Sequence, residues 1–524
     1  AQAALEARAR GERVLVVCAD PADVPRLAQE MPWFEPNLDV RPLPDWETLP
    51  YDVLSPQEEL VSERLEALYR LTAPTGGADV LLTSAVTASQ RLSPVSYIGA
   101  NTFFFHQGEQ ISLTTLQKRL AAAGYANVKQ VLAAGEFAVR GSIVDVFPMG
   151  SERPFRLDFF DDEIESIRWF DVDTQRSMES AKEIRLLPGH EFPVDPEALL
   201  AFRQRWRREF AGDPKKSIVY CDIEKEILPP GIEYYLPLFF DETAALTDYL
   251  PPNARVFLLG DIEAALQAFG RDMASRYKVL AADPQRPALA PERIWLKPEE
   301  FFKSLANFAR FTVEKKENAE DLKRLTGIEV DRKSQNPVGK LLERTRESAM
   351  KGVRTLIAAP SAGRMETMSQ LLRTGGLSVE EFPDWQTFLD ADSALGIAAA
   401  PLFSGAVFHH PEIVILSEAE LYAASPRRHR LRRVKHATTL EMMVRDVAEL
   451  KPGDAVVHAD HGIGRYQGLV HMETPDGDAE FLEITYKNDA KLFVPITNLQ
   501  LISRYAGADP EHAPLHQLGR GDWE

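Results

Sequence analysis

Cysteine is the scarcest reactive residue in this sequence, with Cys18 and Cys221 the only two in 524 residues. Two thiols supply neither a disulfide framework nor a four-ligand zinc site, and they fit a reducing cytoplasm. Cys18 follows the apolar run Val14-Leu15-Val16-Val17 and reads as a buried core thiol. No apolar stretch approaches the ~18 residues needed to cross a bilayer, and the opening lacks the pattern of a signal peptide. No membrane location is expected. Net positive charge is missing as well: 60 Lys and Arg stand against 79 Asp and Glu, a formal net charge of −19. That balance excludes a surface that clings to nucleic acid as a whole, so any DNA contact must be local.

The glycine pattern of a phosphate loop, GxxxxGK[ST], is also absent. Its glycines let successive backbone amides wrap a phosphate chain. The nearest segment, residues 334–341 (SQNPVGKL), lacks the first glycine and puts Leu341 where a metal-binding hydroxyl belongs. Pro360-Ser361-Ala362-Gly363-Arg364 opens a helix after a strand, but has one glycine and no lysine. ATP hydrolysis by this chain is therefore not expected, and no catalytic acid/base constellation stands out. His458-Ala459-Asp460-His461 has no third ligand at zinc spacing and reads as a turn. His409-His410 reads as a loop pair. No cofactor and no metal are expected in this chain.

Hydrophobic content of 44% and charged content of 27% are ordinary globular values. The length predicts about three to five domains. Residues 1 to about 100 read as α/β, with strands at 14–18 and 79–83 and a helix over 21–31. Ser55 can cap a helix beginning at Pro56, with Glu58 and Glu59 in its first turn. From about 102 to 188 the texture changes to a helix and β-hairpins punctuated by Gly135, Gly141, Gly150 and Asp161-Asp162. Residues 189–315 return to α/β. The charged segment 314–333 reads as a linker, residues 338–425 as another α/β unit, and 445–520 as mostly β. The dense basic cluster 427–435 (RRHRLRRVK) has three open readings: pairing with acidic domains, contact with DNA phosphates, or a solvated linker. The chain opens without methionine inside a helical pattern and stops at Trp523-Glu524, as expected of a piece of a longer product.

One strand carries the strongest sign of function. In Phe155-Arg156-Leu157-Asp158-Phe159-Phe160, alternation sends Phe155, Leu157 and Phe159 to one face and Arg156, Asp158 and Phe160 to the other. Arginine and aromatic rings anchor protein interfaces, so the second face reads as a docking surface. The alternative, a strand buried on both sides with Phe160 under a neighbouring domain, is equally open on periodicity alone. The run Asp158, Asp161, Asp162, Glu163, Glu165 reads as a solvated turn rather than a metal site.

Three long segments in order resemble the bacterial transcription-repair coupling factors: 45–65 (DWETLPYDVLSPQEELVSERL), 135–171 (GEFAVRGSIVDVFPMGSERPFRLDFFDDEIESIRWFD), and 456–469 (VVHADHGIGRYQGL) with 481–507 (FLEITYKNDAKLFVPITNLQLISRYAG). The resemblance implies a multidomain α/β protein. A UvrB-like split α/β domain without a phosphate loop would occupy 1–101 and 188–315, with an inserted α+β hairpin domain at 102–187. A linker at 316–337, a third α/β domain at 338–425, a basic linker at 426–444 and a C-terminal Tudor-like β-barrel at 445–520 would follow. It implies that the inserted domain binds UvrA through Arg140, Arg156 and Phe160, with Asp158 on the same face. It implies that the barrel, similar to CarD-type regulators, grips the RNA polymerase β subunit through Met472, beside Leu469 and Val470. ATP, Mg and most DNA contact would belong to motor modules after Glu524, with the basic linker a further DNA candidate, and a C-terminal domain there would mask the UvrA surface. A UvrB-like helicase or ATPase and a CarD-like transcription regulator are the alternatives.

Overall fold

The computed structural model describes residues 2–73, 77–281, 283–314, 319–330, 334, 336–422, 455–458, 462–474, 477–487, 490–495 and 502–504. The chain divides into two compact units, Ala1–Ala423 and Ala424–Glu524.

The first unit begins a parallel sheet with β1 (Val14–Cys18), β2 (Val40–Pro42) and β3 (Val80–Ser84). β3 is buried throughout and β1 at all but Val16, as a strand flanked by helices on both faces requires. The helix expected over 21–31 spans Asp23–Phe34. The helix Glu58–Thr72 carries Glu58 and Glu59 in its first turn and Arg70 in its last, complementing its dipole. Its start corrects the expected Ser55 cap. Ser55 Oγ instead donates to Glu233 Oε2 at 2.8 Å and accepts the Gly231 N–H at 3.0 Å. Gln57 takes the cap position without a side-chain bond.

The chain then leaves this sheet through β4 (Phe103–His106), β5 (Ala126–Asn127), β6 (Glu136–Arg140), β7 (Ile143–Val146), β8 (Phe155–Phe160), β9 (Glu163–Phe170), β10 (Ser177–Ala181) and β11 (Glu183–Leu186). β4 and β11 pair antiparallel, with Phe103 opposite Leu186. The strands between them form one sheet in the order β10-β9-β8-β7-β6-β5. The helix Leu113–Ala122, capped by Ser112, packs Leu116 and Leu120 into a core with Phe137, Val144, Leu157 and Ile167. That core runs on without a break into Leu15, Val17, Leu65 and Leu81 of the first sheet. Polar contacts reinforce the seam. The Gly150 N–H donates to Ser62 Oγ at 2.7 Å, and Arg185 pairs with Glu66 and lies 4.5 Å over the Tyr69 ring.

β12 (Arg255–Leu259) and β13 (Ala309–Val313) return to the first sheet and complete the parallel order β13-β12-β1-β3-β2. A fully buried ion pair joins chain on either side of the excursion. Arg64 Nε donates to Glu191 Oε1 at 2.6 Å, with side chains only 0% and 3% exposed. Its other nitrogens donate to Pro44 O and Gln90 Oε1, and Trp46 Nε1 donates to Glu191 at 3.1 Å. Every charge is thereby satisfied, the condition under which a buried pair is tolerated.

A second parallel sheet follows: β14 (Arg354–Ala359), β15 (Glu380–Phe382), β16 (Leu395–Ala399), β17 (Ala406–His409) and β18 (Glu412–Ser417), in the order β15-β16-β14-β18-β17 with β17 antiparallel. It docks on the helix Asp23–Phe34. Trp33 and Phe34 meet Trp385 and Phe408 in an aromatic cluster with ring centroids 4.9 to 6.3 Å apart. Trp33 Nε1 donates to Ala399 O at 3.1 Å, and the Phe403 N–H reaches Glu30 Oε1 at 3.5 Å. Within the segment read as a linker, the chain forms a helix, Ala319–Leu325. Its charges are drawn to the last strands of this sheet, Asp321 to His409 at 3.3 Å and Arg324 to Glu412 at 3.8 Å.

In the second unit β19 (Ala455–His458), β20 (Gly462–Thr474), β21 (Gly477–Thr485), β22 (Lys491–Pro495) and β23 (Ile502–Arg504) form an antiparallel sheet in the order β22-β21-β20-β19-β23. A bulge between Tyr466 and Gly468 bends β20, with Gly468 at φ 139°, which its missing Cβ permits. Val456, Tyr466, Leu482, Ile484, Tyr486 and Val494 make its core. Among the described residues of the chain, no helix is long and apolar enough to cross a membrane.

Candidate protein-docking faces

β8 follows its alternation. Phe155, Leu157 and Phe159 are buried, Arg156 and Asp158 are half-buried, and Phe160 is 69% exposed. Directly opposed residues of an antiparallel pair share a face. Asp145 on β7 stands opposite Arg156, Ile143 stands opposite both Asp158 and Arg140, and Asp158 stands opposite Ser166 on β9. One face of the sheet therefore brings together Arg140, Asp145, Arg156 and Asp158, with Phe160 at the end of its strand beyond a shift in register.

The centre of that face is a residue that strand alternation did not single out. Asp145 is 0% exposed and holds both arginines. Arg156 Nε donates to its Oδ1 at 2.6 Å and Nη2 to its Oδ2 at 2.9 Å, a two-point fork. Arg140 Nη2 donates to the same Oδ2. Arg156 Nη1 donates to Gln175 O at 3.1 Å and Ser177 Oγ at 3.2 Å, and its guanidinium lies 4.9 Å over the Phe170 ring. These bonds, above all those to Asp145, hold the Arg156 pKa above its ordinary value. Asp158 turns aside to accept Ser166 Oγ–H at 2.8 Å. The signal for Asp145 was present in the run Ile143-Val144-Asp145-Val146: a carboxylate inside an apolar strand needs cationic partners once buried.

The turn Asp161-Asp162 lies between β8 and β9, with Asp161 at φ 52°. Among the described residues no group of three or more His, Cys, Asp or Glu could hold a metal ion. At three strand ends the leading backbone amides of the following segment are capped by the chain's own side chains. After β1, Asp20 Oδ1 accepts the Ala22 N–H at 2.9 Å, and after β12 Asp261 Oδ1 accepts the Ala264 N–H at 2.9 Å. These two strand ends lie at the point where the strand order reverses, the usual phosphate crevice of such sheets. They offer carboxylates where an anion would need free amides. After β14, Ser361 caps the helix Ala362–Thr374, and Arg364 pairs with Glu418. In the segment 334–341, Leu341 is fully buried in the core of the second sheet.

On β20, Leu469 stands opposite Leu482, Val470 opposite Phe481 and Met472 opposite Ala479. Val470 is half-buried, while the side chains of Leu469 and Met472 and the basic cluster 427–435 lie outside the described residues.

The profile of the UvrB interaction domain matches residues 103–192, that of the MFD, D3 domain matches 349–421, and that of the CarD-like/TRCF RID domain matches 450–506. The transcription-repair-coupling factor of Escherichia coli (strain K12) is 38% identical over 520 residues, covering 97% of this chain and 44% of its own length. That of Haemophilus influenzae gives the same figures. The factor of Myxococcus xanthus is 29% identical over 92% of this chain and 42% of its own length. The chain thus spans less than half the length of these curated relatives, and over nearly its whole length it is similar to transcription-repair-coupling factors.

Proposed function

We propose that the chain is the recruitment half of a transcription-coupled nucleotide-excision repair factor. The face of Arg140, Arg156, Asp158 and Phe160 would receive UvrA. The antiparallel sheet of the second unit, read as a Tudor-like barrel, would grip the β subunit of RNA polymerase through Met472, Leu469 and Val470. The domain division follows the family: a split α/β domain at 1–101 and 188–315, the UvrA-binding insertion at 102–187, the third α/β domain at 338–425 and the polymerase-binding domain at 445–520, with linkers at 316–337 and 426–444. ATP-driven movement on DNA, with its ATP and Mg, falls to other parts of a full-length factor acting in the cytoplasm.

The observation that carries this reading is Phe160, a phenyl ring 69% exposed at the end of a strand whose other two phenylalanines are buried. An exposed ring on a sheet that also carries a half-exposed arginine is a typical interface anchor. Arg140→Ala and Phe160→Ala are each expected to weaken UvrA binding by about 2 kcal/mol, roughly 30-fold. Unchanged capture of UvrA by both variants would sink the assignment. For the other end, Met472→Arg is expected to abolish co-purification with the polymerase β subunit, because it drives a charge into an apolar contact. A helicase or ATPase reading is not supported by the strand ends, where Asp20 and Asp261 cap the backbone amides that follow.

A further inference from the structure

We infer that the buried carboxylate of Asp145, assisted by Gln175, fixes Arg140 as the cation this face offers, and that Arg156 is a positioning residue rather than a contact. For its partner the inference rests on the UvrA-docking reading above. For the arrangement of the arginines it rests on geometry.

Arg156 is spent internally. Two of its nitrogens are forked onto Asp145, the third donates to Gln175 O and Ser177 Oγ, one flat side covers Phe170, and its side chain is only 15% exposed. A partner reaching for it would have to break charge-assisted bonds around a buried carboxylate, which is costly. Arg140 differs. Its side chain is 49% exposed and, among the described residues, only Nη2 is engaged, by Asp145 and by Gln175 Oε1 at 3.5 Å. Nε and Nη1 are left for an incoming acceptor. Gln175 is itself held in place. It sits in the left-handed region at φ 57°, and its Nε2 donates to Val131 O at 3.3 Å and Val172 O at 2.8 Å. Those bonds turn Oε1 toward Arg140. The partner surface that fits is a carboxylate, met by Arg140, beside an apolar socket for the Phe160 ring.

Two guanidinium groups and one carboxylate leave this cluster one net positive charge, which gives a test by sign. Asp145→Asn adds a positive charge to the cluster. A face acting as a diffuse positive patch would then bind an acidic partner more tightly, whereas a face acting by geometry binds less tightly. The experiment combines phenylglyoxal labelling of the whole chain, read by peptide mass mapping, with UvrA titration. In the unaltered chain Arg140 is expected to be labelled and Arg156 protected. In Asp145→Asn both become labelled and UvrA affinity falls about tenfold. Gln175→Gly keeps the left-handed turn comfortable. It should speed Arg140 labelling and lower UvrA affinity about threefold, so it carries the test should Asp145→Asn fail to fold. Equal labelling of both arginines in the unaltered chain overturns the inference without reference to any partner. Equal or tighter UvrA binding by Asp145→Asn, or a Gln175→Gly variant unchanged in labelling and affinity, overturns it as well. The expected labelling pattern without UvrA binding would instead sink the docking reading and leave the positioning role standing.

Discussion

Two aromatic patches on the first unit met opposite fates. Trp33 and Phe34, at the end of the helix Asp23–Phe34, are covered by Trp385 and Phe408 of the third α/β domain. Phe160 stands open at the end of β8, on the sheet that also carries Arg140. The covered patch is stitched by polar bonds that reach across to its partner domain, from Trp33 Nε1 to Ala399 O and from the Phe403 N–H to Glu30. The open patch keeps its polar bonds to itself, around Asp145. What separates the fold contact from the proposed interface here is thus where the neighbouring polar groups are satisfied, more than how apolar the rings are.

The covered side should show the largest response to mutation. Trp33→Ala removes a ring that packs against its aromatic neighbours and a cross-domain hydrogen bond. It is expected to cost about 3 kcal/mol and to free the third domain, seen as a lowered unfolding midpoint and faster proteolytic cleavage between residues 314 and 338. Unchanged cleavage would mean that the two domains are not held by these rings. Phe160→Ala probes the same contrast from the open side: its unfolding free energy should stay within about 0.5 kcal/mol of the unaltered chain, whatever it does to UvrA binding. A large loss of stability would show that Phe160 is a fold residue after all.

The smallest effect is one of pH. Burial raises the Glu30 pKa, against the opposing pull of Arg26 and the Phe403 N–H. The folded chain then binds a proton more readily than the unfolded chain, in a window running upward from the ordinary glutamate value. Stability from this site is therefore gained as pH falls through the window and lost as pH rises. Glu30→Gln should flatten that slope in unfolding curves taken across mildly acidic pH, and an unaltered slope would place its origin elsewhere.

Much of this was legible in the sequence wherever local pattern decides structure. The strands at 14–18 and 79–83 read correctly because a parallel strand must be apolar on both faces. The two faces of β8 were legible for the same reason, since alternation dictates direction. What alternation does not give is the partner across the sheet, so the role of Asp145 appeared only with the register. Ser55 was misread as a cap because its competitor, Glu233, lies far along the chain. The helix Ala319–Leu325 was hidden in linker-like composition because its charges find their partners on β17 and β18. That Trp33 is covered depends on Trp385, which no local window contains.

The inserted sheet is joined to its host by more than the paired strands β4 and β11. Its core is continuous with that of the first sheet, and Gly150 and Arg185 are tied to Ser62 and Glu66 on the helix Glu58–Thr72. The same helix, through Arg64, reaches Glu191 beyond the excursion. A tug on Phe160 would therefore travel as shear along one helix into both halves of the host domain. A guest held at that ring, as proposed, would be coupled mechanically to the frame of the protein, as on a rigid arm rather than a tether.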